Sequence, residues 1–304
     1  MRMSKQGDQQ DDDSAIAAPS IGTQSIGTQS VGAQSVGAQA IGAQAVGGRG
    51  VQSVEIGGRL LGSLALASQP MMLRDLAQAA DLTPGQAHAY LLSFRKLGLV
   101  EQDAASGRYR LGPFALHLGL ARLRNTDPYR LASTAIVDLA EQLELMVTIT
   151  VWGHAGPTIV QVQESSNQIH ANVRPGGLFT VSGTATGKVF AAYLPRKLVE
   201  PVLQAELAAS RKGWSAAGDL APEEMLAEFQ RVRAAGLCTT VDNPVPGVSA
   251  LAAPIFDHTG RIILVITVIG PTAKVDVNAD GGHAHALLAF TRRLSAELGY
   301  QIPA

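Results

Sequence analysis

Between residues 51 and 112 the chain is punctuated so closely that few folds remain open to it. Thr83 offers a hydroxyl suited to an N-cap, and Pro84 fits the first helical position, where no backbone N–H is needed. Gly98 is a stop, because glycine takes the left-handed backbone that ends helices at little cost. Between them Ala87, Leu91, Phe94 and Leu97 share one face at helical spacing, which predicts a helix over 84–97. Leu60, Leu61, Leu64 and Leu66 predict a helix ending near Ser68-Gln69-Pro70, and Leu73, Leu76, Ala77 and Ala80 a short one over 72–80. Residues 99–102 and 108–111 flank an Ala104-Ala105-Ser106-Gly107 turn and read as a hairpin. Three short helices followed by a hairpin is the order of a winged helix-turn-helix.

In that architecture the third helix enters the DNA major groove and the hairpin lies along the backbone. The exposed positions of its opening turns are Gly85, Gln86, His88, Ala89 and Tyr90, with Thr83 just before them and Ser93 one turn later. Glutamine can pair bidentately with adenine, His88 and Tyr90 can donate to phosphate, and Arg95 and Lys96 stand towards the far end. Arg108 and Arg110 on the hairpin are placed for the backbone or the minor groove. For each of these side chains the plainer alternative is that it solvates a surface. Charge favours DNA only by region. The whole chain carries −1, yet residues 49–127 hold nine basic side chains against six acidic, and 128–304 hold thirteen against fifteen. A helix start reading Pro-Gly-Gln-Ala-His-Ala has little positive charge, so affinity would lean on dimerisation and the hairpin arginines.

Residues 1–50 are different. An acidic stretch precedes five pentads, from Ile-Gly-Thr-Gln-Ser at 21–25 to Ile-Gly-Ala-Gln-Ala at 41–45. Glycine at every fifth position opposes helix and strand alike, so this part reads as a flexible tail without specific function. Residues 114–124 predict a helix with Phe114, Leu116, Leu118, Leu120, Ala121 and Leu123 spread around it, greasier than a lone surface helix should be. It reads as a connector that packs on a partner subunit. Pro128 restarts a helix to about 145. Beyond it, 147–152 and 158–163 form a hairpin, 169–173 a further strand, and helices follow at about 184–194, 196–211 and 222–235. Strands at 237–241, 250–256 and 261–269 and a helix at 283–298 complete the pattern. Strands joined by tight turns imply a mostly antiparallel sheet with helices against it, so the fold class is α+β.

Several chemistries find little support. The longest apolar run, 262–269, is strand-sized and too short to cross a membrane. Asp8, Asp11, Asp12 and Asp13 precede anything apolar, the opposite of a secretory leader, so a cytoplasmic location is expected. The single cysteine, Cys238, supports neither an internal disulfide nor a metal framework and reads as a buried, inert thiol. His283 and His285 are two apart and face differently on a helix, so no metal and no cofactor is expected. Gly183–Lys188 is similar to a phosphate loop but is one residue short between the glycines and has Val189 where a magnesium-binding hydroxyl belongs. Its better role is a helix N-terminus whose amides meet an anionic ligand, against plain close packing of small residues. Asp242 and Asn243 beside Pro244 either line a pocket mouth or form a turn, and Trp152 and Trp214 read as core or lid residues. No set of acid, base and nucleophile assembles, so the chain is not expected to be an enzyme.

Val51-Gln52-Ser53-Val54-Glu55, the run 82–98 and Gly107-Arg108-Tyr109-Arg110-Leu111-Gly112 resemble the DNA-binding domain of the isocitrate-lyase-regulator (IclR) family of bacterial transcription factors. Ser182-Gly183-Thr184-Ala185-Thr186-Gly187-Lys188 resembles the family's turn into a helix. The run 246–257, from Pro246-Gly247-Val248 to Asp257, and the strand ending Gly270-Pro271 resemble its effector-site strands, and the likeness covers about 51–299. The resemblance implies a GAF-like effector domain, dimers or tetramers on palindromic double-stranded operators, and small carboxylates or aromatic acids as ligands. Family members repress, activate or do both. It also implies effector contacts at Gly183, Thr184, Ala185, Thr186, Gly187, Asp242, Ser249, Ala250, Thr267 and Ile269. Departures occur where family helices carry Ser, Thr or Lys and then Arg after the histidine, here Gly85, Gln86 and Ala89. In the pocket, Ala250, Thr267 and Ile269 stand where some members have cysteine and serines, which points to a bulkier or more apolar ligand.

The sequence therefore divides into a tail (1–50), a winged helix-turn-helix (51–112), a linker helix (113–127) and a GAF-like effector domain (128–304). The expected function is sequence-specific DNA binding tuned by a small organic effector. Two rivals remain: an enzyme acting on a small acid with an accessory helix-turn-helix, and a regulator that works through protein contacts without DNA.

Overall fold

The computed structural model describes residues 50–165, 173–210 and 222–301. The pentads, all but Val173 of the strand expected at 169–173, and Trp214 lie outside the described residues.

The first core is built from three helices and a hairpin. Helix α1 (Gln52–Leu66) packs Leu60 and Leu64 against Leu76 and Ala77 of α2 (Leu73–Ala79) and Ala87 and Leu91 of α3 (Pro84–Lys96). Val100 of β1 (Val100–Gln102) and Tyr109 of β2 (Tyr109–Leu111) close it. Both ends of α3 follow the sequence. Thr83 accepts the Gln86 N–H at 3.3 Å, and Gly98, at φ 73°, turns the chain away after Lys96. The hairpin is antiparallel, Val100 opposite Leu111, and Met71 exchanges two backbone hydrogen bonds with Tyr109, so the α1–α2 connection adds a short third edge to it.

Helix α4 (Pro113–Arg124) follows with no buried side chain at all. Phe114, Leu116, Leu118, Leu120 and Leu123 remain between 37% and 62% exposed.

The second part is a five-stranded antiparallel sheet in the order β4-β3-β7-β6-β5, made of β3 (Met146–Gly153), β4 (Gly156–Gln163), β5 (Cys238–Thr240), β6 (Val248–Phe256) and β7 (Ile262–Pro271). Side chains alternate across it. Val147, Ile149, Leu251, Ala253, Ile255, Ile266 and Val268 face α5 (Pro128–Leu143) and α9 (Gly282–Glu297) in the main core. The opposite face, with Cys238, Ala252 and Val265, lies under α6 (Ala185–Tyr193) and α8 (Pro222–Ala235), and α7 (Arg196–Ser210) packs beside α6. Mixed helices over an antiparallel sheet match the expected α+β class.

Ile266 is wholly buried at the centre of that sheet. Ile266→Ala is expected to cost about 2–5 kcal/mol through lost contacts and an unfilled cavity. In urea unfolding the loss should appear in the sheet unit's transition, with the Tyr109-containing core unmoved; a loss in both would show a single cooperative core.

Candidate DNA face and effector site

The face of α3 that the sequence assigns to DNA is open. Thr83, Gly85, Gln86, His88, Ala89, Ser93, Arg95 and Lys96 are all exposed. Tyr90 differs. It is half-buried and packs into the first core beside Phe94, leaving only part of its ring at the surface.

Several of the exposed groups are engaged within the chain. Gln86 completes a capping box, its Oε1 accepting from the Thr83 backbone N–H at 3.0 Å and the Thr83 hydroxyl at 2.9 Å. With Oε1 occupied, the amide NH₂ is left as a donor, which suits an acceptor on guanine or a phosphate, while bidentate pairing with adenine would break the box. The basic side chains are similarly held. Arg95 donates to Gln102 at 3.0 Å, Arg108 donates to the Pro70 carbonyl at 3.0 Å, and Arg110 forms a short ion pair with Glu101 on the opposite strand. Glu101 was missed from sequence because its effect comes from a cross-strand partner, Glu101 opposite Arg110 in the register. Arg74 was missed too: it is exposed in the first turn of α2.

The effector candidates are brought together in part. Across the α6 side of the sheet, the register aligns Cys238, Ala252, Thr267 and Thr148 in one row, with Ala250, Ile269 and Met146 in the next. The Thr186 hydroxyl in the first turn of α6 meets the Thr267 hydroxyl at 2.7 Å. Thr184 caps α6, accepting from Gly187 N at 3.0 Å and donating to the Thr180 carbonyl at 2.6 Å. Gly187 has to be glycine, since a Cβ there would overlap the Thr180 carbonyl and the Val181 Cα. That close approach lays 180–187 tightly over the sheet. Thus Gly183, Thr184, Ala185, Thr186, Gly187, Ala250, Thr267 and Ile269 share one neighbourhood. The first-turn amides of Ala185 and Thr186 have no acceptor within their own helix.

Asp242 and Ser249 stand apart from it. Ser249 lies on the other face of β6, one residue out of phase with Ala250, and its hydroxyl meets Thr272 at 2.9 Å. Thr272 in turn donates to Asp242 at 2.6 Å, and Asp242 also accepts from Gly247 N. These residues pin the 242–248 loop.

Charges near α6 are already matched. Lys188 is buried, with Nζ 3.5 Å from Glu228, which also meets Arg231 at 2.6 Å. The Glu206 carboxylate accepts from Val181 N at 2.6 Å and from the Ser182 N–H and hydroxyl at 3.2 Å. Burial raises its pKa, and those hydrogen bonds oppose the rise. Burial pushes the Cys238 thiol up to about 12, so it is not a thiolate near neutrality. The larger clefts lie elsewhere, under α4: one of about 510 Å³ is lined by Arg122, Leu123, His258 and Leu298. Among the described residues no group of three or more His, Cys, Asp or Glu is placed to hold a metal, and no helix is long and apolar enough to cross a membrane.

Residues 53–104 match the IclR helix-turn-helix domain and 121–296 the C-terminal domain of IclR-type bacterial transcriptional regulators. The chain is 32% identical over 229 residues to the glycerol operon regulatory protein of Streptomyces coelicolor, covering 74% of this chain and 87% of that one. The Streptomyces griseus protein of the same name is 30% identical over 257 residues, covering 84% and 97%. The crystal structure of Pseudomonas aeruginosa HmgR superposes with a TM-score of 0.74 at 34% identity, over 82% of this chain and 99% of that one.

Two substitutions and one labelling experiment test this geometry. Gln86→Glu keeps the capping acceptor but removes the donor and adds charge, so operator affinity should fall about tenfold with Tm unchanged. Glu101→Gln frees Arg110, so affinity should rise severalfold and the salt dependence steepen by about one phosphate contact; unchanged binding in a gel-shift titration would place the hairpin off the DNA. Cys238 should resist iodoacetamide at neutral pH until the protein is unfolded, and rapid native labelling would contradict its burial.

Proposed function

The chain belongs to the IclR family of bacterial transcriptional regulators, and from that membership we propose how its parts divide the work. Residues 51–112 bind double-stranded operator DNA through α3 and the hairpin, 113–127 link, and 128–304 bind a small organic effector at the α6 turn. The relatives are regulators, and this reading gives the chain no reaction to catalyse and a cytoplasmic place of action, where its DNA is.

The observation that carries the reading is α4. A helix with no buried residue and five exposed large apolar side chains, set between a DNA-reading core and an effector-binding core, is stable in water only when something covers it. A second copy supplies the same apolar surface in return. Two α3 helices are then joined through the segment that effector binding can shift, and because two half-sites must be matched about one helical turn apart or a multiple of it, a small change in spacing changes affinity. The Streptomyces relatives are named for a glycerol operon. What carries over is the class: a small metabolite that modulates operator binding.

Replacing Leu116 and Leu118 by lysine should convert the dimer to a folded monomer in sedimentation equilibrium and weaken operator binding at least tenfold, since one head loses the other's contacts. A variant that remains dimeric with unchanged affinity would remove α4 from the interface. Metabolites that bind the protein yet leave gel-shift affinity unchanged would sink the sensor reading.

A further inference from the structure

Where β6 outruns β5, the sheet edge opens into a cleft that neither the DNA face nor the α6 turn uses. β5 pairs with β6 only as far as Cys238 opposite Ala252, so Pro254 to Phe256 have no strand beside them on that side. The cleft there holds about 140 Å³ and is walled by Pro254, Phe256, Leu288 and Tyr300. Its aromatic wall is braced. The Phe256 ring centre lies 4.8 Å from that of Tyr300 and 5.0 Å from that of Tyr193, and the Arg233 guanidinium sits 5.7 Å from the centre of the Tyr193 ring. The floor asks for nothing more: the Ser295 hydroxyl accepts from the Phe256 N–H at 3.0 Å and donates to the Thr291 carbonyl at 2.7 Å. Arg292 lines the cleft from an exposed position and has no ion pair or hydrogen bond among the described residues. No acidic side chain of the described residues lines the cleft.

We propose that this cleft is a second ligand site, taking a small acid made of one aromatic ring and one carboxylate. It lies apart from the α6 turn, because Pro254 is four residues along β6 from Ala250, roughly 13 Å. The inference therefore goes beyond the function proposed above. Size sets the body of the ligand, since an apolar cavity of about 150 Å³ holds one benzene ring. The walls set its character: two aromatic rings, a proline and a leucine favour a flat apolar body. Charge sets its far end. A guanidinium offers paired donors that match a carboxylate, and no acid lining the cleft competes for them. A peptide strand is a poor occupant of this edge, because Pro254 has no N–H and that of Phe256 is already given to Ser295.

The test uses the full-length protein with benzoate as the probe, read by calorimetric titration against benzyl alcohol, which lacks the charge, and acetate, which lacks the ring. Benzoate should bind with a Kd of about 1 mM or below, and each control about fivefold or more weakly. Arg292→Gln removes a charge from an exposed position, so it should cut benzoate affinity about tenfold, to the level of benzyl alcohol, with Tm unchanged. Leu288→Phe fills the cleft from its wall and should abolish benzoate binding in a protein that still melts cooperatively. Benzoate binding that survives both substitutions belongs elsewhere, the α6 turn included, and overturns the proposal while leaving the effector site standing. Binding of either control as tight as that of benzoate overturns it too, because the ring or the charge then plays no part. Absence of benzoate binding also overturns it, and if Leu288→Phe then lowers the oligomer size in sedimentation, the occupant of the cleft is a second copy of the chain.

Discussion

The molecule turns on a helix that has no core of its own. Pro113–Arg124 joins two packed units and buries no side chain in either, so its apolar surface is a demand the single chain cannot meet. Burial of one leucine contributes about 1.5–3 kcal/mol, and association of two proteins costs several kcal/mol in lost freedom. A handful of half-exposed leucines is thus of the right size to hold two copies together without making the contact rigid. The same helix lies over the clefts lined by Arg122, Thr126 and Leu298, where the effector-binding unit begins. In the proposed function one segment carries both the dimer contact and the link to the DNA-binding head, so a shift at the sheet would reach the DNA through α4.

At the DNA end, the surface charge is less available than its composition suggests. Arg110 is neutralised by Glu101, Arg95 is tied to Gln102, and Gln86 closes its own cap. Exposed pairs of this kind contribute little to stability, about 0–1 kcal/mol each, so DNA phosphate can compete for the arginines. Their cost falls on affinity: each arginine must first give up an internal partner. A recognition helix with few cations and a wing with pre-paired ones favours a head that binds weakly by itself, in keeping with the two linked heads of the proposed function.

The elements legible in the sequence were those whose signals are local. Thr83-Pro84 and Gly98 bracketed α3 to within a residue, while the alternation in 147–152 and the strand-sized apolar run 262–269, buried on both faces, marked strands. What escaped depends on partners distant in sequence. Ser249 and Ala250 are adjacent in the chain and were grouped together, yet they project from opposite faces of β6, and the face each takes is set by register with β7. Tyr90 fell among the exposed positions of α3, but α3 sits against the first core at an angle that half-buries it, and that angle is a property of packing. Thr148 and Thr150 looked like ordinary strand residues of high β-propensity, and their position beside α6 follows only from the pairing of β3 with β7.

That last pairing changes the character of the sheet face beneath α6. Judged from Ala250, Thr267 and Ile269 alone, the sheet beneath α6 would be nearly apolar. Adding β3 gives a row in which Thr148, Thr267 and Thr186 adjoin, with Thr150 one step along. Lys188, Glu228 and Arg231 satisfy one another, and Glu206 takes the Val181 and Ser182 amides, so the formal charges around α6 are held within the chain. The first turn of α6 is tied to β7 through Thr186 and Thr267, and α6 cannot slide because Gly187 already lies against the 180–181 backbone. By contrast α4, with no buried residue, is held by few packing ties.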